Sequence, residues 1–361
     1  MNILPARILD ANANRAREAL RVLEDYARLG LNDELLAGTL KHLRHGLAAA
    51  LTDLNIQDAL CARDTPGDVG TTIKTPTELQ RTSLAAVVIA AGKRLSEALR
   101  VLEEIAKTTR PDAAAALERL RYQGYSLEQT LTRAAMQAGR FGKIRLYVLL
   151  TESLCRRPWE VTLDAILAGG SGSADGGGNG ETLAIQLREK NLPDSELLRR
   201  ARILVERCRA RGAIPMINDR PDIAQLAGVG VGVHLGQTDL PCAEVRRLVG
   251  HDMIVGVSTE NLDQAQEAVR QGATYIGVGP MFPTTTKDKP RIVGPAYARE
   301  AVAKLAVPCV AIGGITLQSL PQLLDAGVRC VAVCAAIIST DDPAAACQAF
   351  REKLDAVGDS R

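Results

Sequence analysis

The sequence of 361 residues lacks an excess of charge of either sign. Its 44 lysines and arginines nearly balance 42 aspartates and glutamates, so the formal net charge is +2. A chain this close to neutral has no general field that would attract nucleic acid or an anionic membrane surface. We therefore expect neither as a partner, and any anionic ligand has to be bound by a local cluster of polar residues.

Long apolar runs and paired cysteines are missing as well. The longest apolar run, residues 84–91, is far shorter than the roughly 20 residues of a membrane-spanning helix. Residues 1–21 are charged and helix-periodic, without the apolar core of a signal peptide. The eight cysteines show no CxxC or metal-ligand spacing, which predicts reduced, buried thiols. These absences predict a cytoplasmic protein.

The chain divides into two regions of different pattern. Residues 1–138 read as successive helices, whereas from residue 143 onward β-branched runs alternate with helical stretches. We predict an all-helical domain over 1–138, a linker over 139–143 and an α/β domain over 144–361. Eight apolar runs with short crossovers predict a (β/α)8 barrel in the second domain. The Gly-rich stretch 169–180 is predicted to be a mobile insertion without chemistry.

The helical domain contains an internal repeat. The run EALRVLE at 18–24 recurs identically at 97–103, which predicts two equivalent helices of a duplicated bundle. A helical wheel places Arg15 and Arg94 at the margins of the two apolar faces, where a cation needs a carboxylate or a ligand phosphate. The alternative is an exposed helix face with ordinary i,i+3 and i,i+4 pairs.

A loop between the two repeats concentrates charge and glycine. It reads RDTPGDVG over 63–70 and supplies Arg63, Asp64 and Asp68. Such a loop is able to hold a phosphate and its metal ion. An ordinary turn is the alternative, because Pro-Gly and Asp are common turn residues.

Polar residues follow the second, third and fourth predicted strands. In QLREK (186–190), Gln186, Arg188 and Lys190 point the same way because side chains alternate along a strand, which predicts an anion site of diphosphate size. Asp219 and Asp239 end the next two strands and offer hard oxygen ligands for Mg²⁺. The alternative is that both are structural capping acids, with Asp219 at a helix N-cap before Arg220 and Pro221.

Later strand ends supply hydroxyl groups, glycines and one further cation. The loop GPMFPTTTK (279–287) is typical of a flexible lid over phosphates. The Gly313–Gly314 pair and the end of the eighth strand resemble the phosphate site formed after strands seven and eight of such barrels. For His234, inside the fourth strand, we predict a structural, hydrogen-bonded role.

Six of these motifs, in this order, resemble the thiamine phosphate synthase family over residues 143–340: QLREK, ND (218–219), HLGQTD (234–239), GVS (256–258), GPMFPTTTK and GGI (313–315). The resemblance implies that hydroxymethylpyrimidine diphosphate is joined to hydroxyethylthiazole phosphate with Mg²⁺, releasing diphosphate. It implies a metal site at Asp219 and Asp239 and catalytic roles for Lys190, Ser258 and Lys287. The pyrimidine diphosphate would contact Gln186, Leu187, Arg188, Glu189, Lys190, Asn218, Ser258 and Lys287. The thiazole phosphate would contact Thr284, Thr285, Thr286, Gly314, Cys334 and Ala335.

The sequence departs from the family pattern at one position, and a second family with the same barrel is a competing interpretation. Ala335 stands where relatives often have serine, which puts one hydroxyl contact in doubt. The competing interpretation on the same barrel is an aminothiazole tautomerase, which would need neither the two aspartates nor the complete QLREK cluster.

The helical domain resembles the domain fused to some thiamine phosphate synthases that also occurs as a separate hydroxymethylpyrimidine phosphate kinase. The resemblance rests on residues 12–28, 63–70 and 93–107, and implies use of ATP, although no P-loop is present. The rival hypothesis is a non-catalytic dimerisation scaffold, which fits a homo-oligomer. The candidate residues are Arg15, Glu18, Arg21, Arg63, Asp64, Asp68, Arg94 and Glu97.

Overall fold

The computed structural model describes residues 3–68, 80–81, 83–170, 182–284 and 291–356. The chain forms two units, Met1–Met136 and Gln137–Arg361. None of the described helices is both long and apolar enough to cross a membrane.

The first unit is helical throughout its described secondary structure. Side-chain caps begin two of its helices, since Asp33 accepts from the Leu36 amide and Ser83 from the Ala86 amide. Its elements are α1 Ile3–Asp25, a π-helical turn Tyr26–Gly30, α2 Glu34–Asp53, α3 Ile56–Leu60, α4 Leu84–Lys107 and α5 Pro111–Phe141.

The two repeated segments form α1 and α4, which pack against each other. Their apolar stripes are buried, as the spacing predicts, and meet in one core. In each copy of the repeat, the last glutamate also pairs with an arginine of the next helix. Glu24 of α1 accepts from Arg44 of α2 at 2.9 Å, and Glu103 of α4 accepts from Arg121 of α5 at 2.7 Å.

The segment predicted as a linker is partly helical. Residues 139–141 are the last residues of α5, and the Gly142 amide donates to the Ala138 carbonyl as the chain leaves the helix. A single glycine costs a helix only about 1 kcal/mol, so Gly139 does not stop a helix of 31 residues.

The second unit is a closed barrel in which eight parallel strands pair in sequence order and β8 pairs with β1, confirming the predicted (β/α)8 fold. The strands are β1 Leu146–Leu150, β2 Leu183–Leu187, β3 Ile214–Asn218, β4 Gly232–Leu235, β5 Ile254–Thr259, β6 Tyr275–Val278, β7 Cys309–Ile312 and β8 Cys330–Val333. The helices are α6 Trp159–Gly170, α7 Asp194–Ala210, α8 Pro221–Ala227, α9 Cys242–Val249, α10 Leu262–Arg270, α11 Gly294–Lys304, α12 Leu320–Asp325, α13 Ala335–Ile338 and α14 Pro343–Asp355.

Two residues assigned to the Gly-rich insertion belong to a helix instead. Gly169 and Gly170 end α6, and a Cβ atom at Gly169 would overlap the backbone of Ala344 in α14. Glycine is needed there because the two helices approach closely. Residues 171–180 of the predicted insertion lie outside the described residues.

Side chains alternate between two cores along each barrel strand. In β1, Val148 packs against the outer helices, whereas Tyr147 and Leu149 lie inside the barrel. Phe141 also lies in the inner core and stacks on Tyr275, with ring centroids 4.0 Å apart. The inner core fills the barrel below the carboxyl ends of the strands, so those ends are left to line a cavity.

Candidate active site

A cavity of about 730 Å³ opens at the carboxyl ends of the barrel strands, where barrel enzymes carry their active sites. It collects most of the residues that the barrel motifs predict. The predicted residues that line it are Gln186, Arg188, Lys190, Asn218, Asp219, Asp239, Ser258, Thr284, Gly314, Cys334 and Ala335.

The end of β2 directs alternate side chains into this cavity. Gln186 is buried and donates from Nε2 to Oδ1 of Asn218 at 2.9 Å, which ties β2 to β3. Arg188 and Lys190 lie on the same side and line the cavity. The guanidinium of Arg188 has no hydrogen bond or ion pair to any residue in the described ranges, so its donors are available to a ligand.

Two residues of the same motif do not line the cavity. Leu187 packs in the outer core, and Glu189 accepts from the Glu152 amide at 2.7 Å beside Arg200. Their direction follows from the two-residue period of the strand, which sends odd-numbered side chains away from the barrel interior. The structure therefore does not support direct ligand contacts for Leu187 and Glu189.

Two carboxyl groups meet at the ends of β3 and β4. Burial and the neighbouring carboxyl of Asp239 raise the pKa of Asp219 to about 6. The Nζ atom of Lys190 lies 4.0 Å from Asp219 and opposes this rise. Asp219 has a φ of +61°, a left-handed conformation that is unfavourable for a residue with a side chain. Two crowded carboxyl groups of this kind fit a divalent cation, which would favour the ionised form of Asp219.

The alternative role of Asp219 as an N-cap is wrong. The residue in the N-cap position of α8 is Arg220, whose side chain makes no capping hydrogen bond. Asp239 accepts from the Gly236 amide at 2.6 Å, which fixes one of its oxygens within its own turn. Within the described ranges no group of three or more His, Cys, Asp or Glu side chains is arranged to hold a metal ion. A cation at this pair would need phosphate oxygens and water as further ligands, as Mg²⁺ commonly has.

Ser258, near the end of β5, forms part of a hydrogen-bonded group. Its Oγ lies 2.8 Å from Nε2 of His234, and the His234 Nδ1 lies 2.7 Å from the Tyr275 hydroxyl. Both side-chain nitrogens of His234 are therefore engaged, and the ring also lines the cavity. The backbone carbonyl of Ser258 accepts from Nε2 of Gln237 at 2.7 Å.

The opposite wall is formed by close packing of backbone. Gly313 and Gly314 have φ values of +103° and +62°, and a Cβ atom on Gly314 would overlap the Pro283 carbonyl. Glycine is thus required for this turn to lie against the loop after β6. Burial raises the pKa of the Cys334 thiol to about 11, so this part of the wall is uncharged. Thr285, Thr286 and Lys287 lie outside the described residues.

Several lining residues were not predicted from the sequence. Leu149, Gln237, Thr238, Glu260 and Thr316 all line the cavity. Gln237 and Thr238 lie inside a motif that was recognised for its aspartate, and Thr316 directly follows GGI. Leu149 carried no signal, since an apolar strand residue reads as core.

Several candidate residues of the helical unit are engaged by neighbours within that unit. Arg63 donates to both oxygens of Asp10 at 2.7 Å, and Asp64 accepts from the Gly67 amide at 3.0 Å within its own turn. Arg15 donates to Oδ1 of Asn12 at 3.4 Å. Asp10 and Asn12, both buried, were missed because they lie just before or at the start of the recognised motif.

The remaining helical candidates are spread along two helices. Arg21, which is exposed, lies 3.7 Å from the largely buried Glu24. Among the described residues, no hydrogen bond or ion pair involves the side chains of Glu18, Arg94 or Glu97, all three of which are exposed. Asp68 donates from its amide to the Thr65 carbonyl at 3.3 Å.

The parallel barrel, with cations, amides and carboxyl groups gathered where its strands end, defines a barrel enzyme of small phosphorylated substrates. The family model described as thiamine monophosphate synthase (TMP-TENI) matches residues 146–337, and that of the ThiD2 family matches residues 7–130. The chain belongs to the thiamine-phosphate synthase family.

Individual relatives extend over nearly the whole chain. The thiamine-phosphate synthase of Nostoc sp. is 39% identical over 351 residues, which cover 97% of this chain and 94% of the relative. That of Synechocystis sp. is 41% identical over 340 residues, covering 94% and 93%. Among solved structures, the thiamine phosphate pyrophosphorylase from Pyrococcus furiosus aligns with a TM-score of 0.52 at 30% identity, over 60% of this chain and 98% of that one.

Proposed function

We propose that the barrel condenses hydroxymethylpyrimidine diphosphate with hydroxyethylthiazole phosphate to give thiamine phosphate and diphosphate. The observation that carries the proposal is the convergence of Arg188, Lys190, Asp219 and Asp239 on one cavity that faces a Gly-Gly turn. One side of the cavity suits a metal-bound diphosphate, and the other suits a phosphate held by backbone amides.

The pyrimidine diphosphate is assigned to the ends of β2, β3 and β5. Arg188 and Lys190 would bind its phosphate oxygens, and Asn218, held by Gln186, would orient it. Ser258 would meet the pyrimidine, and Lys287, in the loop after β6, would add a further cation. Lys190 is able to follow the departing diphosphate, because its charge is compact and its stem flexible.

Asp219 and Asp239 are the proposed Mg²⁺ ligands. The raised pKa of Asp219 and its closeness to Asp239 support this assignment, because a bound cation would offset the burial and the neighbouring carboxyl that raise the pKa of Asp219. Mg²⁺ bound there would neutralise charge on the leaving diphosphate.

The thiazole phosphate is assigned to the opposite wall. Thr284, the turn at Gly314 and the backbone of Cys334 and Ala335 line the cavity there and support this placement. Thr285 and Thr286 are proposed contacts of the same phosphate. Departure of diphosphate leaves a pyrimidine-methyl cation that the amino-substituted ring stabilises, so the site mainly has to hold the thiazole nitrogen close to it. No protein nucleophile is needed.

For the helical unit we propose a hydroxymethylpyrimidine phosphate kinase that uses ATP and supplies the barrel's diphosphate substrate. Its support is the match to the ThiD2 family over residues 7–130 together with the exposed arginines Arg15 and Arg63. The alternative is a non-catalytic scaffold that holds two copies of the chain together. A cytoplasmic location is proposed from the eight cysteines, all of which are free thiols.

The experiment that tests both assignments measures thiamine phosphate formed from thiazole phosphate and Mg²⁺. One reaction receives pyrimidine diphosphate, and a parallel reaction receives pyrimidine monophosphate with ATP. Product in both supports two activities, and product only from the diphosphate supports the synthase with a scaffold. Product in neither contradicts the synthase proposal, and conversion of an aminothiazole substrate would then favour the tautomerase. The molar mass of the protein in solution tests whether it forms a homo-oligomer.

A further inference from the structure

A chain of four hydrogen-bonding side chains runs from the barrel interior to the cavity. The Tyr147 hydroxyl lies 3.0 Å from that of Tyr275, which lies 2.7 Å from Nδ1 of His234. The Nε2 atom of His234 then lies 2.8 Å from Oγ of Ser258. Tyr147 and Tyr275 are buried in the inner core, whereas His234 and Ser258 line the cavity. The proposed function uses only the last member of this chain.

The packing around the chain leaves its rings little freedom. Tyr275 stacks on Phe141 with ring planes 12° apart, and a Cβ atom on Gly256 would overlap the Tyr275 ring. A Cβ atom on Gly277 would lie 3.2 Å from Cε1 of His234. The two glycines therefore make room for the rings, and the close packing fixes their positions.

The buried Tyr147 determines which residue is the donor in each of these hydrogen bonds. Among the described residues, the Tyr147 hydroxyl has one hydrogen-bond partner, the Tyr275 hydroxyl. If Tyr275 donated to Tyr147, the Tyr147 proton would be buried without an acceptor, which is costly. Tyr147 therefore donates to Tyr275, and Tyr275 donates to Nδ1 of His234. The proton of the neutral imidazole then lies on Nε2 and is donated to Oγ of Ser258.

We propose that His234 is a positioning residue that holds Ser258 with its hydroxyl proton directed to the substrate, and that Tyr275, anchored by Tyr147, fixes the His234 tautomer. Ser258 in this arrangement is a donor, so its partner on the substrate is an acceptor such as an aromatic ring nitrogen. A serine that instead gave its proton to His234 would select an amino group. The buried residues Tyr147 and Tyr275 thereby contribute, through His234 and Ser258, to the choice of substrate.

The tautomer is measurable without any assay of activity. We would record side-chain ¹⁵N NMR spectra of the full chain at a pH well above the usual histidine pKa of about 6.5, assigning His234 by its loss in His234→Gln. The proposal requires the proton on Nε2 in the wild-type protein. A proton on Nδ1 would overturn it, whatever reaction the barrel catalyses.

The positioning role rests on the proposed function and is tested by a double-mutant cycle in the synthase reaction. Tyr275→Phe keeps the stacked ring and removes one hydroxyl, and we expect kcat/KM to fall about three- to ten-fold, as for one neutral hydrogen bond. In a Ser258→Ala background the same change should have almost no effect. An equal loss in both backgrounds would mean that Tyr275 and His234 do not act through Ser258.

Tyr297→Phe is the matched control. It also removes a buried tyrosine hydroxyl, but one that takes no part in the hydrogen bonds from Tyr147 to Ser258. This hydroxyl contacts Thr259 at 2.6 Å and donates to the Asn261 carbonyl at 2.8 Å. We expect unchanged kcat/KM and an unchanged His234 spectrum; a loss equal to that of Tyr275→Phe would overturn the proposal by making it a general effect of buried hydroxyls. Absence of synthesis by the wild-type protein would contradict the proposed function alone, since the NMR result is independent of it.

Discussion

The barrel and the helical unit use their charged residues differently. In the barrel, Arg188 and Asp219 face a shared cavity and keep hydrogen-bonding capacity for a ligand. In the helical unit, charges pair with one another: buried Glu103 contacts Arg100, Lys107 and Arg121. The difference follows from geometry, because parallel strands bring their carboxyl ends to one place, whereas helix faces point in several directions. Charge at the ends of the barrel strands is therefore available for binding, whereas the ion pair of Glu103 with Arg121 joins two helices of the helical unit.

The largest effect is expected from Glu103→Ala in the helical unit. Glu103 is fully buried and Arg121 nearly so, and the change would leave the arginine with only the exposed carboxylate of Glu118, at 3.9 Å. Breaking such a pair typically costs about 3–5 kcal/mol. We expect this loss in the free energy of unfolding of the helical unit, measured by urea denaturation followed by circular dichroism. Synthesis from pyrimidine diphosphate, measured where the variant is folded, should remain.

The pH dependence of stability provides a check on the same residue. Burial opposes ionisation of Glu103, but hydrogen bonds from Lys107 and Arg121 outweigh it and lower its pKa. A carboxyl whose pKa is lower in the folded state stabilises the protein above its unfolded pKa, about 4.3 for glutamate, and this contribution is lost as the pH falls through the folded value. The wild-type protein should therefore lose more stability in acid than Glu103→Ala does. Equal acid sensitivity would contradict an ionised, stabilising Glu103.

The next largest effect is expected in the barrel, from Asp239→Ala. Loss of a proposed metal ligand should lower Mg²⁺-dependent kcat/KM about a hundred-fold or more, while thermal unfolding stays near that of the wild type. Asp325→Ala, at an exposed aspartate in α12, is the control and should keep full activity. Calorimetric titration with Mg²⁺ and diphosphate should show weakened binding only for Asp239→Ala. Unchanged Mg²⁺ dependence would remove Asp239 from the metal site.

Much of the barrel site was predictable because periodicity and strand position determine it. Alternation along β2 places Gln186, Arg188 and Lys190 together, and the strand order places Asp219 beside Asp239. The same rule turns the side chains of Leu187 and Glu189, which the family motif includes, away from the cavity. Site residues are predictable from one sequence where a regular strand fixes the direction of their side chains.

Less was predictable where contacts depend on packing between distant elements. Tyr147 and Tyr275 read as ordinary strand aromatics, and the hydrogen bonds from Tyr147 to Tyr275 and from Tyr275 to His234 arise only when the barrel closes. The partner of Arg63 was likewise hidden, because Asp10 is 53 residues away on α1. In the linker, local glycines predicted an interruption, but one glycine did not outweigh the helix on either side of it.

A smaller effect is expected from Arg63→Ala, which tests whether a charged residue of the helical unit also binds a ligand. If Arg63 binds phosphate as well as Asp10, phosphorylation of pyrimidine monophosphate should fall about ten-fold, as for loss of a charge-assisted hydrogen bond. Synthesis from pyrimidine diphosphate should be unchanged. Arg28→Ala removes an exposed arginine that also pairs with a carboxylate, at 3.2 Å from Asp25, and should leave both reactions intact. Equal phosphorylation by all three proteins would remove Arg63 from the kinase site, whereas absence of phosphorylation by the wild-type protein would favour the scaffold.

The smallest effect is expected from Glu24→Ala, the counterpart of Glu103→Ala in the other repeat. Glu24 accepts from Arg44 at 2.9 Å, but 30% of the Arg44 side chain is exposed, whereas only 7% of Arg121 is. Water is able to solvate Arg44 after the change, so the loss of unfolding free energy should be roughly 1 kcal/mol or less. The same urea denaturation measures it. The two glutamates share a sequence context, and each pairs with an arginine of the next helix, so the two variants compare a buried ion pair with a partly exposed one; Glu103 has one further partner, Lys107. Equal losses would mean that the position in the repeat, and not burial, determines the strength of these ion pairs.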